Sequence, residues 1–308
     1  MNDAGDISIH NEGSYSDFGL LESSESAGLS ISSNKSGYIC SNCKCTFGSN
    51  LAINKCIMCG STNLSGGEIN LSSAKFISFY KNISNAIADY KQKTKSLFLP
   101  KVFRRKTVIN NIKKVYLPAY LVDVNVSGQV QFLGADKISK NETKKYELIY
   151  DTNFDFNNIL VCGYSKIKDN IFNSICTYQY DSISSFNDDL LNDTYSVSYD
   201  LVPLEVSNKI NNRVMRHCLG EVRENIPHAL KKNQKNDMDV QIKRNNKVYV
   251  PIYIMNINYN GRDYMYLMNG QSGDSYIELE YSKVAIIVYS LIIFTIIFTC
   301  AFLFAYFF

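Results

Sequence analysis

Two cysteine pairs, Cys40-Ser-Asn-Cys43 and Cys56-Ile-Met-Cys59, stand with twelve residues between them. A Cys-x-x-Cys turn brings two thiolates onto one metal ion and aims backbone N–H groups at the sulfurs. Two such turns close a tetrahedral four-cysteine site of the kind that holds Zn2+. Gly60 follows the second pair and supplies the backbone freedom such a turn uses. Cys45 is a spare thiol, poorly spaced to share a knuckle with Cys43. With thiolate at all four positions no place remains for an activated water, so the expected zinc is structural. Binding worth roughly 10–16 kcal/mol holds together a unit too small to fold alone. Four unligated thiols, or a redox pair, fit two paired turns less well.

Other chemistries find weaker footing. Asp151-Thr-Asn-Phe-Asp155 starts like a calcium loop, but Phe156 stands where that loop needs Gly and Cys162 where it needs Glu. We read it as polarity at a strand end. His217 and Cys218 are adjacent, which on a helix points them about 100° apart, so neither serves the other. His228 completes a set of three histidines, too few to offer a triad. Asp188-Asp189 lies in a polar stretch that faces solvent. Catalysis is not expected.

The charges are unevenly spread. The chain of 308 residues carries a net charge of only +3, which excludes a global field toward nucleic acid. Residues 1–36 hold Asp3, Asp6, Glu12, Asp17, Glu22 and Glu25 against Lys35 alone. This Ser- and acid-rich stretch has no apolar block for a secretory signal and reads as a disordered tail. Between Lys91 and Lys114 the opposite holds: nine cations and no carboxylate. A solvated surface, anionic lipid headgroups and nucleic-acid phosphate all suit that run. Nine cysteines with four in metal-like spacing do not make a disulfide framework and point to a reducing compartment.

The elements that must position these residues are mixed. Lys75–Tyr80 reads as a strand. Asn82 caps a helix with Ile83, Ala86, Ile87 and Tyr90 on one face. A second helix covers 206–224, with Val206, Ile210, Val214 and Leu219 inward and Pro227 ending it. VYLPAYLVDVNVSG (115–128) echoes VYVPIYIMNINYNG (248–261), with six of fourteen positions identical. Each block reads as a strand running into a glycine turn, and Asn260-Gly261 is a two-residue hairpin signal. A further turn lies at 269–273. The pattern predicts paired hairpins, from an internal duplication or from convergence of amphipathic strands.

Val284–Phe308 is 25 residues without a charge. About 20 apolar residues span the roughly 30 Å of bilayer hydrocarbon. The run is expected to be a single C-terminal transmembrane anchor, with Tyr289 and Tyr306 at interfacial depth and residues 1–282 in the cytosol.

In order along the chain come the two knuckles, FLP at 98–100, the 115–128 block, CGYSKIKDNIF at 162–172, the 248–273 block ending MNGQSG, and the apolar run. This series resembles the bacterial TFIIB-type zinc-ribbon-containing membrane proteins, over roughly residues 38–308. The resemblance implies a cytosolic N-terminal ribbon, a β-rich middle and a C-terminal anchor, with no agreed activity. Lys44 stands where the first knuckle of that family has Gly, and Ser78 where its first strand has Pro. No GxxxxGK[ST] phosphate loop is present, which excludes a helicase.

The expected fold is thus α+β. A tail over 1–36 precedes a four-cysteine zinc ribbon over 37–66, an α+β domain over 70–282 and a transmembrane helix over 284–308. The ligands would be Cys40, Cys43, Cys56 and Cys59. The expected function is a tail-anchored, non-enzymatic adaptor whose ribbon binds a protein partner at the bilayer. The rival is a membrane-tethered nucleic-acid binder. Against it, only Lys44, Phe47 and Lys55 decorate the ribbon between its knuckles.

Overall fold

The computed structural model describes residues 34–71, 74–139, 142–226 and 230–307. Strands β1 (Asn34–Cys40), β2 (Thr46–Gly48), β3 (Leu64–Asn70) and β4 (Lys75–Ile77) precede helix α1 (Ile83–Lys93). A 3-10 turn over Lys101–Arg104 and the short helix α2 (Lys106–Ile109) lead into two long strands, β5 (Lys113–Lys137) and β6 (Thr143–Cys162). Then follow α3 (Asp169–Asn173), β7 (Ile183–Ser185), β8 (Tyr195–Val197), α4 (Pro203–Glu224), β9 (Leu230–Asn236), β10 (Asp239–Tyr259), β11 (Arg262–Asn269), β12 (Ser275–Ile277) and α5 (Lys283–Phe307). The protein is α+β and rich in sheet. The expected tail lies outside the described residues except for 34–36, which already belong to β1.

Twelve strands form one sheet, in the order β12-β11-β10-β5-β8-β2-β1-β3, with β6 and β9 also on β5, and β4 on β10 and β7. Successive side chains of a strand face opposite ways. Over 115–122 of β5 and 248–255 of β10 both faces are buried, so these stretches read as near-continuous apolar runs. Val115, Leu117 and Ala119 of β5 pack with Val250, Ile252 and Ile254 of β10 beneath the 162–178 segment and the cysteine hairpins. On the other face α4 lays Val206, Ile210, Val214 and Cys218 over Val122, Val124 and Val126. There too α1 lays Ala86 and Tyr90 over Tyr253, Met255 and Tyr266. Each fully buried Val, Leu, Ile or Met among them contributes about 1.5–3 kcal/mol.

Asn82 caps α1 as its sequence indicates, accepting from the Asn85 N–H at 3.0 Å. Ile83 is a departure: it is 45% exposed, and Ala86 and Tyr90 carry the buried face. In α4 the inward stripe continues through Cys218 and Val222, with Leu219 only partly buried. The helix ends at Glu224, capped by Asn225, and Pro227 lies outside the described residues.

Asn260 and Gly261, at φ 52° and 74°, turn β10 into β11. Gly128 makes no turn. Strand β5 runs straight through it, and the break is instead in its neighbour, between β9 and β10. There the Asp237 carbonyl oxygen comes within 2.4 Å of where a Cβ on residue 128 would sit.

The two echoing blocks lie side by side and antiparallel, with their third residues, Leu117 and Val250, facing each other. The register is therefore symmetric about that pair. Contacts recur across it. Strand β4 runs parallel to β10 at Val248 and Tyr249, and β8 runs parallel to β5 at Val115 and Tyr116. Phe79 packs on Tyr116 and Tyr253, as Tyr199 packs on Tyr249 and Tyr120. Lys114 covers the Phe79 ring, and Lys247 the Tyr199 ring. The Gly270 N–H donates to Pro251 and its carbonyl accepts from Tyr80 and Lys81. Gly163 does the same with Pro118, Asp200 and Leu201.

Helix α5 offers 22 residues, Lys283–Phe304, of mean hydropathy 2.7 and with none of that stretch buried. It is long and apolar enough to cross a membrane.

Candidate metal centre

Strand β1 delivers Cys40 into a turn that carries Cys43 and returns as β2. A second turn carries Cys56 and Cys59 before β3 closes on β1. The turns repeat each other bond for bond. The Lys44 N–H donates to the Cys40 carbonyl at 2.9 Å, and the Gly60 N–H to the Cys56 carbonyl at 2.9 Å. The Cys40 N–H donates to the Cys45 carbonyl at 3.0 Å, and the Cys56 N–H to the Ser61 carbonyl at 2.8 Å. The residue after each pair is left-handed, Lys44 at φ 61° and Gly60 at φ 73°. Glycine takes that conformation freely, whereas a lysine pays for the proximity of its Cβ to the following carbonyl.

The four thiol sulfurs lie within 4.8 Å of one another. Cys40 and Cys59 sulfurs are 3.6 Å apart, as are those of Cys43 and Cys56. That is too long for an S–S bond. It suits four sulfurs at about 2.3 Å from a common ion, whose tetrahedral edges are about 3.8 Å. Donor chemistry and spacing therefore fit a metal ion of thiolate preference. Cys40 and Cys56 are buried, Cys43 is half-buried and Cys59 is exposed, so the cluster sits at the surface with one edge toward solvent.

Backbone amides surround the sulfurs. Burial opposes ionisation of Cys40, but N–H groups of Cys43 and Asn42 and the neighbouring thiols bring its pKa down to about 7. Cys43 and Cys59 are pushed up, foremost by burial. Cys56 is pushed up by the Cys45 thiol and then by burial. Cys45 lies outside the four-sulfur group, buried on the core side against Cys56 and Tyr164.

The cysteine hairpins are fused to the sheet. Strand β2 pairs with β8 at Phe47↔Val197, and Ile57 and Met58 join the core of β5 and β10. The Asn256 amide of β10 donates to the Met58 carbonyl.

The other singled-out residues stay apart. Cys218 is fully buried on the inner face of α4, while the exposed His217 packs edge-on against Phe156 at 5.6 Å. His228 lies outside the described residues. Asp151 to Asp155 sit in the middle of β6 and not at its end. The Asp155 carboxyl is held below its usual range by hydrogen bonds from Lys243 and Asn125. Asp188 and Asp189 are exposed in a 3-10 turn.

Two working residues escaped the sequence reading. Asn269, with no exposure, donates to the Ile175 and Thr177 carbonyls at 2.8 and 3.1 Å and accepts from the Gln271 and Ser272 amides at 2.7 and 3.1 Å. Gln271 exchanges two bonds with the Gln179 backbone. The NGQSG turn thus pins the 175–179 segment over the sheet. The sequence marks the turn at 269–273, but not its partners more than ninety residues away.

No protein-family model matches the chain, and no solved structure matches it. It is similar to the uncharacterized protein YdjG of Bacillus subtilis (strain 168), 24% identical over 189 residues, which cover 58% of this chain and 55% of YdjG. The chain spans about half the length of that relative.

Proposed function

We propose that the chain is a tail-anchored, cytosol-facing zinc-ribbon adaptor that binds a protein partner at the membrane and performs no catalysis. The observation that carries this reading is the pairing of a four-thiol cluster with an unburied apolar helix of 22 residues at the far end of the chain. Zinc on Cys40, Cys43, Cys56 and Cys59 fixes the two turns. Their exposed residues Ser41, Asn42, Lys44, Lys55 and Gly60 form the docking surface, held rigid because Ile57 and Met58 behind it are rooted in the sheet. We further propose that the chain belongs with the TFIIB-type zinc-ribbon membrane proteins it resembles. The recurring contacts about Leu117 and Val250 support an origin of the middle by duplication of one β-α-β-β unit. The nucleic-acid reading is weaker, since those docking residues include only two cations.

In-cell crosslinking and capture of the full chain, with nuclease in parallel, tests the proposal. A defined protein partner that survives nuclease and is lost in Cys56→Ser/Cys59→Ser supports the adaptor. Recovery of nucleic acid that weakens with salt refutes it.

A further inference from the structure

The loop between α1 and the 3-10 turn touches the root of α5. The Ser282 N–H donates to the Phe98 carbonyl at 2.8 Å, and the Phe98 ring meets Tyr289 edge-on at 5.3 Å. Tyr289 is six residues beyond Lys283, about 9 Å along a helix that rises 1.5 Å per residue. On the reading of α5 as a membrane span, Phe98 therefore lies at the depth of the bilayer interface. Beside it Leu97 is 61% exposed.

The same segment is strongly basic and sorted by side. Leu99, Phe103 and Ile109 are buried, and the Phe103 carbonyl accepts from the Tyr90 hydroxyl at 2.7 Å. Lys95, Lys101, Arg104, Arg105 and Lys106 are exposed, and one Arg104 Nη also donates to the Leu99 carbonyl at 3.3 Å. None of these five forms an ion pair with a described residue, whereas Lys114, later in the run, is bound to Asp193 at 2.6 Å. The exposed Leu97, an aromatic ring against the first turns of the span and the exposed cations beside them make a surface suited to a bilayer interface.

We propose that residues 95–106 form a headgroup-binding face, with Leu97 and Phe98 entering the interface and the five cations contacting anionic phospholipid of the leaflet in which α5 is rooted. The inference rests on the anchor reading. Each cation near an anionic surface adds attraction, so together they slow local opening by at least about ten-fold.

The test uses the full chain in nanodiscs of phosphatidylcholine, with or without phosphatidylglycerol, read by amide hydrogen exchange. Exchange of residues 95–106 is expected to slow about ten-fold or more with phosphatidylglycerol, while exposed residues 142–145 of the far hairpin stay unchanged. High salt and K101E/R104E/R105E/K106E each remove the difference. A chain that fails to co-purify with discs overturns the anchor reading and this inference with it. A chain that inserts but exchanges equally in both lipids overturns this inference alone. Slowing by a short duplex DNA in phosphatidylcholine discs, with none from phosphatidylglycerol, assigns the face to nucleic acid and overturns it too.

Discussion

Replacing Asn269 by alanine removes four hydrogen bonds at a site with no solvent exposure. Two carbonyls, of Ile175 and Thr177, lose their donor, and two amides, of Gln271 and Ser272, lose their acceptor. A typical hydrogen bond contributes about 1 kcal/mol net, and a buried group left unpaired costs about 1–3 kcal/mol. Four bonds with partial relaxation give a loss of about 3–5 kcal/mol. At about 2–4 °C per kcal/mol for a large domain, the unfolding midpoint falls by about 6–20 °C. Urea unfolding of the full chain in detergent measures the free-energy loss directly, with an unchanged slope to show that the unfolded state is unaffected. Asn258→Ala is the control. Its amide bonds the Asp263 carboxylate at 2.7 Å in exposed surroundings, so its loss stays within about 0.5 kcal/mol. A loss below about 1 kcal/mol for Asn269→Ala would refute the view that this turn pins the 175–179 segment.

Three further outcomes follow from particular contacts. A Cβ at position 163 would lie 2.7 Å from the Tyr199 ring, and one at 270 would lie 2.4 Å from the Phe79 ring. Gly163→Ala and Gly270→Ala are therefore each expected to cost about 1–3 kcal/mol by thermal unfolding, with Gly270→Ala the larger. Lys44→Gly relieves a left-handed lysine and is expected to stabilise the chain by about 0.5–1 kcal/mol in the same assay. Metal binding must take protons from thiols that burial and neighbours have pushed up, so retention of zinc falls as pH falls and strengthens as pH rises. A chelator competition across pH reads the slope, and a flat response would contradict thiolate ligation.

The local features were legible because local spacing determines them. The cysteine turns, the Asn82 cap, the inward stripe of α4 at Val206, Ile210 and Val214, and the Asn260-Gly261 turn each depend on residues within a few positions. What escaped was set by distant partners. Gly128 looks like a turn, yet β5 passes through it because its neighbour breaks at Asp237 and Met238, more than a hundred residues later. Ile83 has the spacing of a buried residue, yet it is 45% exposed and Ala86 and Tyr90 carry the buried face. The fusion of the cysteine hairpins to the sheet depends on β8, and their fastening depends on Asn256. The bond from Ser282 to Phe98 likewise joins residues far apart in the chain. Periodicity carries no information about any of these.

If Cys40, Cys43, Cys56 and Cys59 hold one zinc ion as proposed, the metal purifies with the chain. Elemental analysis of the purified full-length chain, alongside Cys56→Ser/Cys59→Ser and Cys45→Ser, tests it most directly. About one zinc per chain is expected in the wild type and in Cys45→Ser, and none in the double variant. A wild-type chain without stoichiometric metal, or equal zinc in all three proteins, would contradict it.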